Sequence, residues 1–307
     1  MAELSAAINA RVGEMDHYVN PDGLKHTRHK GDHLHLAFNQ RVIEQPMGGA
    51  GIFDTSMTRL VANPKSMECL DAVGCTDKKF WSGYVLSKPA GGPPLYWHND
   101  WQFWDDDVSC EPMPVMMFGM IYLVDTSPHN GCLRVVPESH RRSMPIWDVV
   151  KGNNHLSADR EGFEHGVFSD EHGVDVPMKA GDLLLGDSRI LHGTHPNDSD
   201  ERRTCITIWY LSRFAELPEH IRVGFANEWA GESGAVADGI DPEGLLEPLI
   251  PRTEGADGRY FAARKWAERN GKQVQEHLQY PSPGAQDFLG SNLPDRFWVD
   301  RAAEARL

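Results

Sequence analysis

The sequence predicts a mainly β fold, an antiparallel sandwich or jelly roll with flanking helices. Three observations carry that reading. The centre of the chain is a series of short apolar or alternating segments, turn-rich stretches separate them, and few strong helical patterns interrupt them.

The elements follow in order. The first twenty residues, opening MAELSAAINARVGEMD, suggest an amphipathic helix, and a polar, histidine-bearing stretch, KHTRHKGDHLH, comes next. PVMMFGMIYLVD (114–125) is a continuous apolar run with aromatic and branched members, as expected of a strand covered on both faces. SPHNG supplies a turn and CLRVV (132–136) a second strand ended by Pro137, which together read as a hairpin. Residues 151–175 are looser and charged, too polar for a core. Strands resume at AGDLLLGD (180–187), where Gly181 and Asp182 bring turn chemistry, and continue through ILHGTH and RTCITIWYLS, joined by PNDSDE. Beyond Phe214 the texture turns loop-like, with one helical pattern, RYFAARKWAERNGK, stopped by glycine. The expected organisation is a jelly-roll domain over residues 1–214 with N-terminal helical elements, and a 215–307 extension packed on the same domain as a lid or oligomer surface.

Bulk properties narrow the function. The 307 residues are 40% hydrophobic, enough for a substantial core, and the formal net charge of −15 argues against nucleic acid and against an anionic membrane surface. No apolar run is long enough to span a bilayer, and the N-terminus lacks the apolar stretch of a secretory signal. Five cysteines without a CxxC pair read as reduced thiols in a cytoplasmic protein. The expected partner is a small-molecule substrate, with room for a homodimer.

YWHNDWQFWDDD (96–107) sets a histidine and an aspartate one residue apart among aromatic rings. In an extended strand residues i and i+2 share a face, so His98 and Asp100 project together. They form either a buried hydrogen-bonded pair or two ligands of a metal that needs a third. In RILHGTHPND, alternation puts Ile190, His192 and Thr194 on one face and Leu191, Gly193 and His195 on the other. In RTCITIWYL it sends Arg203, Cys205, Thr207 and Trp209 one way and Thr204, Ile206, Ile208 and Tyr210 the other. Two nitrogen ligands and one carboxylate leave an octahedral ion half open, the arrangement of non-haem Fe(II) oxygenases. A keto acid with a second carboxylate would need an arginine fork deeper in the site, a better match than lysine. Trp97 and Trp101 are expected to pack opposite the metal-facing side. Arg134, inside an apolar strand, must either reach solvent or face the pocket and meet an anion.

HND at 98–100, NGCLRVVPESH at 130–140 and GDLLLGDSRILHGTHPNDS at 181–199, with Arg203 following, resemble in order and spacing the phytanoyl-CoA dioxygenase family of Fe(II)/2-oxoglutarate-dependent oxygenases. The resemblance covers roughly residues 80–212. It implies a double-stranded β-helix with His98, Asp100 and His192 as catalytic iron ligands, Arg203 as the 2-oxoglutarate anchor in preference to Arg202, and Thr194 as a hydroxyl on the same carboxylate. Tyr84 and Lys88 are candidates for further co-substrate contacts. The implied cofactors are Fe(II), 2-oxoglutarate and O2, and the implied reaction oxidises, most simply hydroxylates, a C–H bond of a small metabolite with release of succinate and CO2. Asp100 disfavours halogenation, because the related halogenases carry a small residue there. The competing readings are a metal-dependent hydrolase or isomerase on the same scaffold and a non-catalytic jelly-roll module that binds a small acid.

Overall fold

The structure, a computed structural model, describes residues 34–37, 55–92, 94–101, 106–141, 173–232, 241 and 243–256; at 34–37, 55, 56, 96, 98, 228 and 230–232 it describes the backbone alone. The helical patterns read in residues 1–20 and 259–272 lie outside this set.

Among the described residues two antiparallel sheets face each other. One is five-stranded, in the order β1-β2-β9-β4-β7, from β1 (Leu34–Ala37), β2 (Lys79–Lys88), β4 (Met116–Tyr122), β7 (Leu183–Asp187) and β9 (Arg203–Leu211). The other is four-stranded, β3-β8-β5-β6, from β3 (Leu95–His98), β5 (Leu133–Val135), β6 (Val174–Val176) and β8 (His192–Thr194). From β2 onward the chain passes repeatedly from sheet to sheet, the path of a double-stranded β-helix. The fold expectation holds.

The hairpin expectation does not. Residues 114–125 and 132–136 contain β4 and β5, which lie in opposite sheets: β4 pairs with β7 and β9, β5 with β6 and β8. The SPHNG turn carries the chain across the sandwich. Asn130 stabilises it by accepting from Ser127 N (2.7 Å) and donating to Asp125 O (2.8 Å), while Gly131 takes φ +88°, a left-handed value that glycine adopts without strain. A Cβ at Gly131 would also stand 3.1 Å from both the His195 carbonyl and the Lys88 side chain. The end of the charged stretch enters edge strand β6, Val174–Val176.

Period-2 alternation explains where the core sits. Met116, Phe118, Met120 and Tyr122 of β4, with Cys205 and Trp209 of β9, join Trp101 and Leu133 in a cluster between the sheets. Met117, Ile206, Ile208 and Tyr210 face the other way into a second cluster with Met57, Val61 and Leu70. Those three belong to α1 (Thr55–Val61) and α2 (Pro64–Ala72), which cover the outer face of the larger sheet. Asn63 caps α2 by accepting from Lys65 N and Ser66 N, with Pro64 pre-set for the first turn. Strand β4 is thus buried along its whole length, as an apolar run of that kind requires.

Past Phe214 the chain forms α3 (Glu219–Glu232), which the sequence reading did not anticipate. Its Ile221 and Phe225 enter the inter-sheet cluster and its Trp229 the outer one. Among the described residues no helix is long and apolar enough to cross a membrane.

Candidate active site

One end of the space between the sheets is a pocket lined by Asp100, His192, Thr194, Arg203, Tyr122 and Trp209, among others. Strand β8 presents His192 and Thr194 to it, and β9 presents Arg203, Cys205, Thr207 and Trp209, as alternation predicts. His98 ends β3, where its backbone is paired directly opposite His192; its side chain is outside the described residues. Asp100 differs from expectation. The strand stops at His98, and the next turn is fastened to the other sheet by Asp100 N and Trp101 N, which both donate to Ser188 O (2.8 and 3.1 Å).

His192 is buried, and its Nδ1 lies 3.0 Å from the Ile190 carbonyl. A carbonyl only accepts, so Nδ1 carries the proton and Nε2 is the lone-pair nitrogen. That Nε2 is 3.8 Å from Asp100 Oδ2. The gap is too long for a hydrogen bond. It suits two donors on one ion, since ligand atoms each about 2.1 Å from a metal stand about 3 to 4 Å apart. Phe118 backs the imidazole, with ring centroids 5.0 Å apart. Asp100 Oδ2 also accepts from the Trp209 indole N–H at 2.8 Å.

Arg203 is 2% exposed. Its Nη1 reaches the Cys205 sulfur at 3.3 Å and its guanidinium lies 5.8 Å from the Tyr122 ring centroid, yet Nε and Nη2 have no hydrogen-bond partner among the described residues. Two orphaned donors on a buried cation are costly unless an anion completes them. Burial pushes the Tyr122 hydroxyl and the Cys205 thiol well above their ordinary pKa values, so both stay neutral beside the arginine. Arg202 points elsewhere, toward Ser87 Oγ (3.3 Å).

Lys88 is fully buried and donates to Thr194 Oγ1 at 2.7 Å and to the His195 carbonyl. Thr194 Oγ1 accepts from Leu95 N as well, at 3.3 Å. With both lone pairs engaged, the threonine hydroxyl has its own hydrogen left to give. Lys88 therefore stands behind Thr194. Tyr84 is not among the residues lining the pocket; its ring stands edge-on to Trp209 at 5.3 Å.

The other singled-out residues fall elsewhere. Arg134 takes neither course expected of it: it is buried on the outer face of the smaller sheet, bonded to Asp175 Oδ1 (3.0 Å) and set 5.5 Å from the Trp97 ring centroid. Trp97 and Trp101 are both fully buried, but only Trp97, beside Arg134, packs opposite the metal-facing side as expected. Trp101 lies in the cluster between the sheets, its indole N–H donating to Ser109 Oγ at 2.7 Å. His195 points away from His192, to Asp175 (2.7 Å). Among the described residues Cys132, Asp175 and His195 bring ligand atoms within 4.8 Å of one another. Asp175 Oδ1 there is already shared by Arg134 and His195, and burial with the nearby Asp175 charge pushes the Cys132 thiol up to about 11. That group is a satisfied network on the back of the sheet.

Sequence reasoning missed the Trp209–Asp100 bond. It had placed Trp209 on the Arg203 face, but nothing local indicates the partner.

Comparison with known proteins agrees with the motifs. Residues 2–205 match the family model described as phytanoyl-CoA dioxygenase (PhyH). The ectoine dioxygenase of Sphingopyxis alaskensis is 30% identical over 115 residues, 34% of this chain and 37% of that protein. A probable alpha-ketoglutarate-dependent hypophosphite dioxygenase of Stutzerimonas stutzeri is 30% identical over 172 residues, 52% of this chain and 54% of that protein. The match thus spans about a third to a half of these relatives' lengths. A solved structure of EctD from S. alaskensis with 2-oxoglutarate and 5-hydroxyectoine is 19% identical with a TM-score of 0.46, covering 71% of this chain and 69% of that one.

Proposed function

The chain belongs to the phytanoyl-CoA dioxygenase family, and from that premise we propose that it is an Fe(II)/2-oxoglutarate-dependent dioxygenase that hydroxylates a C–H bond of a small metabolite, with release of succinate and CO2. His98, Asp100 and His192 would hold the iron, a donor set of two imidazoles and one carboxylate suited to that ion. When bound, the iron supplies the redox chemistry by which 2-oxoglutarate and O2 are turned to substrate oxidation.

The remaining work falls to the chain's own side chains. Arg203 receives the far carboxylate of 2-oxoglutarate on the two nitrogens that lack other partners among the described residues, and Thr194 adds its hydroxyl hydrogen. The Ile190 carbonyl keeps His192 in the tautomer with Nε2 as ligand. Phe118, Met120, Leu133 and Trp209 keep bulk water from the reacting centre. The observation that carries this reading is the buried, incompletely bonded Arg203 guanidinium in the same pocket as Asp100 and His192. The described residues after Phe214, with Ile221 and Phe225 in the shared core, are read as part of the same domain.

Anaerobic titration tests the proposal. Fe(II) with 2-oxoglutarate is expected to give a weak visible charge-transfer band, absent from Asp100→Ala. With O2 admitted, 2-oxoglutarate is expected to yield succinate, and metabolites can be screened for accelerated release. An Asp100→Ala protein that binds Fe(II) and consumes 2-oxoglutarate like the parent overturns the reading; a protein that binds 2-oxoglutarate without ever releasing succinate is a small-acid binder instead.

A further inference from the structure

We propose that Trp209 is a positioning residue for the metal centre, its indole N–H holding the Asp100 carboxylate in its ligating orientation. The inference rests on Asp100 being an iron ligand and goes beyond it.

The bond is short, Nε1 to Oδ2 at 2.8 Å, and joins residues 109 apart in sequence. Both ends are held. Trp209 sits inside β9, paired to Ser82 of β2 on one side and Phe118 of β4 on the other. Its ring is edge-on to Tyr84 at 5.3 Å and to Trp81 at 6.1 Å, and Trp81 is itself edge-on to Phe225 of α3 at 5.5 Å. Asp100 is tied down at its backbone by Ser188 O. An indole N–H donates and never accepts, so its partner here is a carboxylate oxygen acting as acceptor. Oδ2 is also the oxygen 3.8 Å from His192 Nε2. With one lone pair on Trp209, that oxygen keeps another for an ion shared with His192.

Two effects of the bond oppose each other. Fixing the carboxylate favours metal binding, while drawing charge from its oxygen weakens it as a donor. Orientation is expected to win, because loss of hydrogen bonds to metal-ligating groups typically lowers affinity by about 10- to 100-fold.

The test compares Trp209→Phe, Trp209→His and Trp81→Phe, the last altering the ring packed edge-on against Trp209 while leaving the Trp209 indole N–H in place. Co(II) and Fe(II) dissociation constants are measured anaerobically, with the 2-oxoglutarate charge-transfer band and the melting temperature of the metal-free proteins. Trp209→Phe is expected to raise the metal dissociation constant about 10- to 100-fold and to shift the band. Trp209→His, which restores a ring N–H, is expected to recover part of the affinity, and Trp81→Phe is expected to change melting alone. Metal affinity in Trp209→Phe equal to that of Trp81→Phe overturns the proposal. Asp100→Ala separates the two levels: if it binds metal as the parent does, the iron reading itself is wrong; if it loses the metal while Trp209→Phe keeps it, the positioning role alone fails.

Discussion

Lys88 and Arg203 stand directly opposite each other across β2 and β9, and both are buried. Like charges on paired residues repel, so the floor of this pocket is arranged to attract an anion. The lysine is spent on Thr194 Oγ1 and the His195 carbonyl, which leaves the arginine to meet the ligand.

Arg203→Met should therefore separate stability from function. Replacing a buried, incompletely bonded cation by an apolar side chain removes a desolvation cost, so the ligand-free protein is expected to melt at or above the parent temperature. The rise in melting temperature that 2-oxoglutarate gives the parent should vanish, because a ligand stabilises only what it binds. Loss of the charged bonds corresponds to about 2–4 kcal/mol, or roughly 30- to 1,000-fold in affinity. Scanning calorimetry with and without 2-oxoglutarate checks both halves. A large fall in ligand-free melting temperature contradicts the argument.

Lys88→Met acts one step further back. Without the ammonium, a lone pair on Thr194 Oγ1 is released and the hydroxyl can turn from the pocket. The expected outcome is a rise of about 10-fold in KM for 2-oxoglutarate, equivalent to about one hydrogen bond, with kcat close to the parent value. Steady-state kinetics with 2-oxoglutarate varied decides it. An equal fall in kcat and kcat/KM would place Lys88 in the chemical step instead.

Much of this site can be read along the chain, because strand alternation is local. The inward set Arg203, Cys205, Thr207 and Trp209, and the opposition of His192 and Thr194 to His195, follow from period 2 and appear in the pocket. Partner choice between strands is not local. The turn at SPHNG reads as a hairpin until β4 and β5 prove to lie in different sheets. Asp100 is placed by a carbonyl 88 residues later, Ser188, and no pattern near HND records that. Arg134 finds its anion on β6, in a stretch too polar to look like a strand. Helix α3 was legible in principle from the four-residue spacing of Ile221, Phe225 and Trp229, but the turn-rich residues after it masked the period.

Gly186→Ala tests how the imidazole is supported. A Cβ at Gly186 would lie 2.2 Å from Phe118 Cζ, and Phe118 packs against His192. A buried aromatic ring has little room to yield, so the substitution is expected to cost about 1–3 kcal/mol by overpacking. It should also weaken metal binding by displacing the ring behind His192. Denaturant melts and a Co(II) titration are the measurements. Gly119→Ala is the control on the neighbouring strand, since a Cβ there meets nothing nearer than 3.4 Å. Equal effects from the two substitutions would mean that Phe118 does not support His192.

Cys132 offers a test of the back of the smaller sheet that is independent of iron. Burial, with Asp175 close by, raises its pKa from 9.0 to about 11. Between those two values the unfolded thiol is losing its proton while the folded one keeps it, so the folded state binds more protons and stability must fall as pH rises. The contribution is fully present below pH 9.0 and is lost through about pH 11. Cys132→Ala removes that titration, so its melting temperature should decline less steeply over this window than the parent's. Thiol labelling at pH 8 should agree: exposed Cys69 is expected to react rapidly, and buried Cys132 and Cys205 to stay silent until the protein unfolds. Rapid labelling of Cys132 in the folded protein would mean that the thiol is ionised and that Asp175 and His195 act on it as a reactive group, contrary to the satisfied network described above.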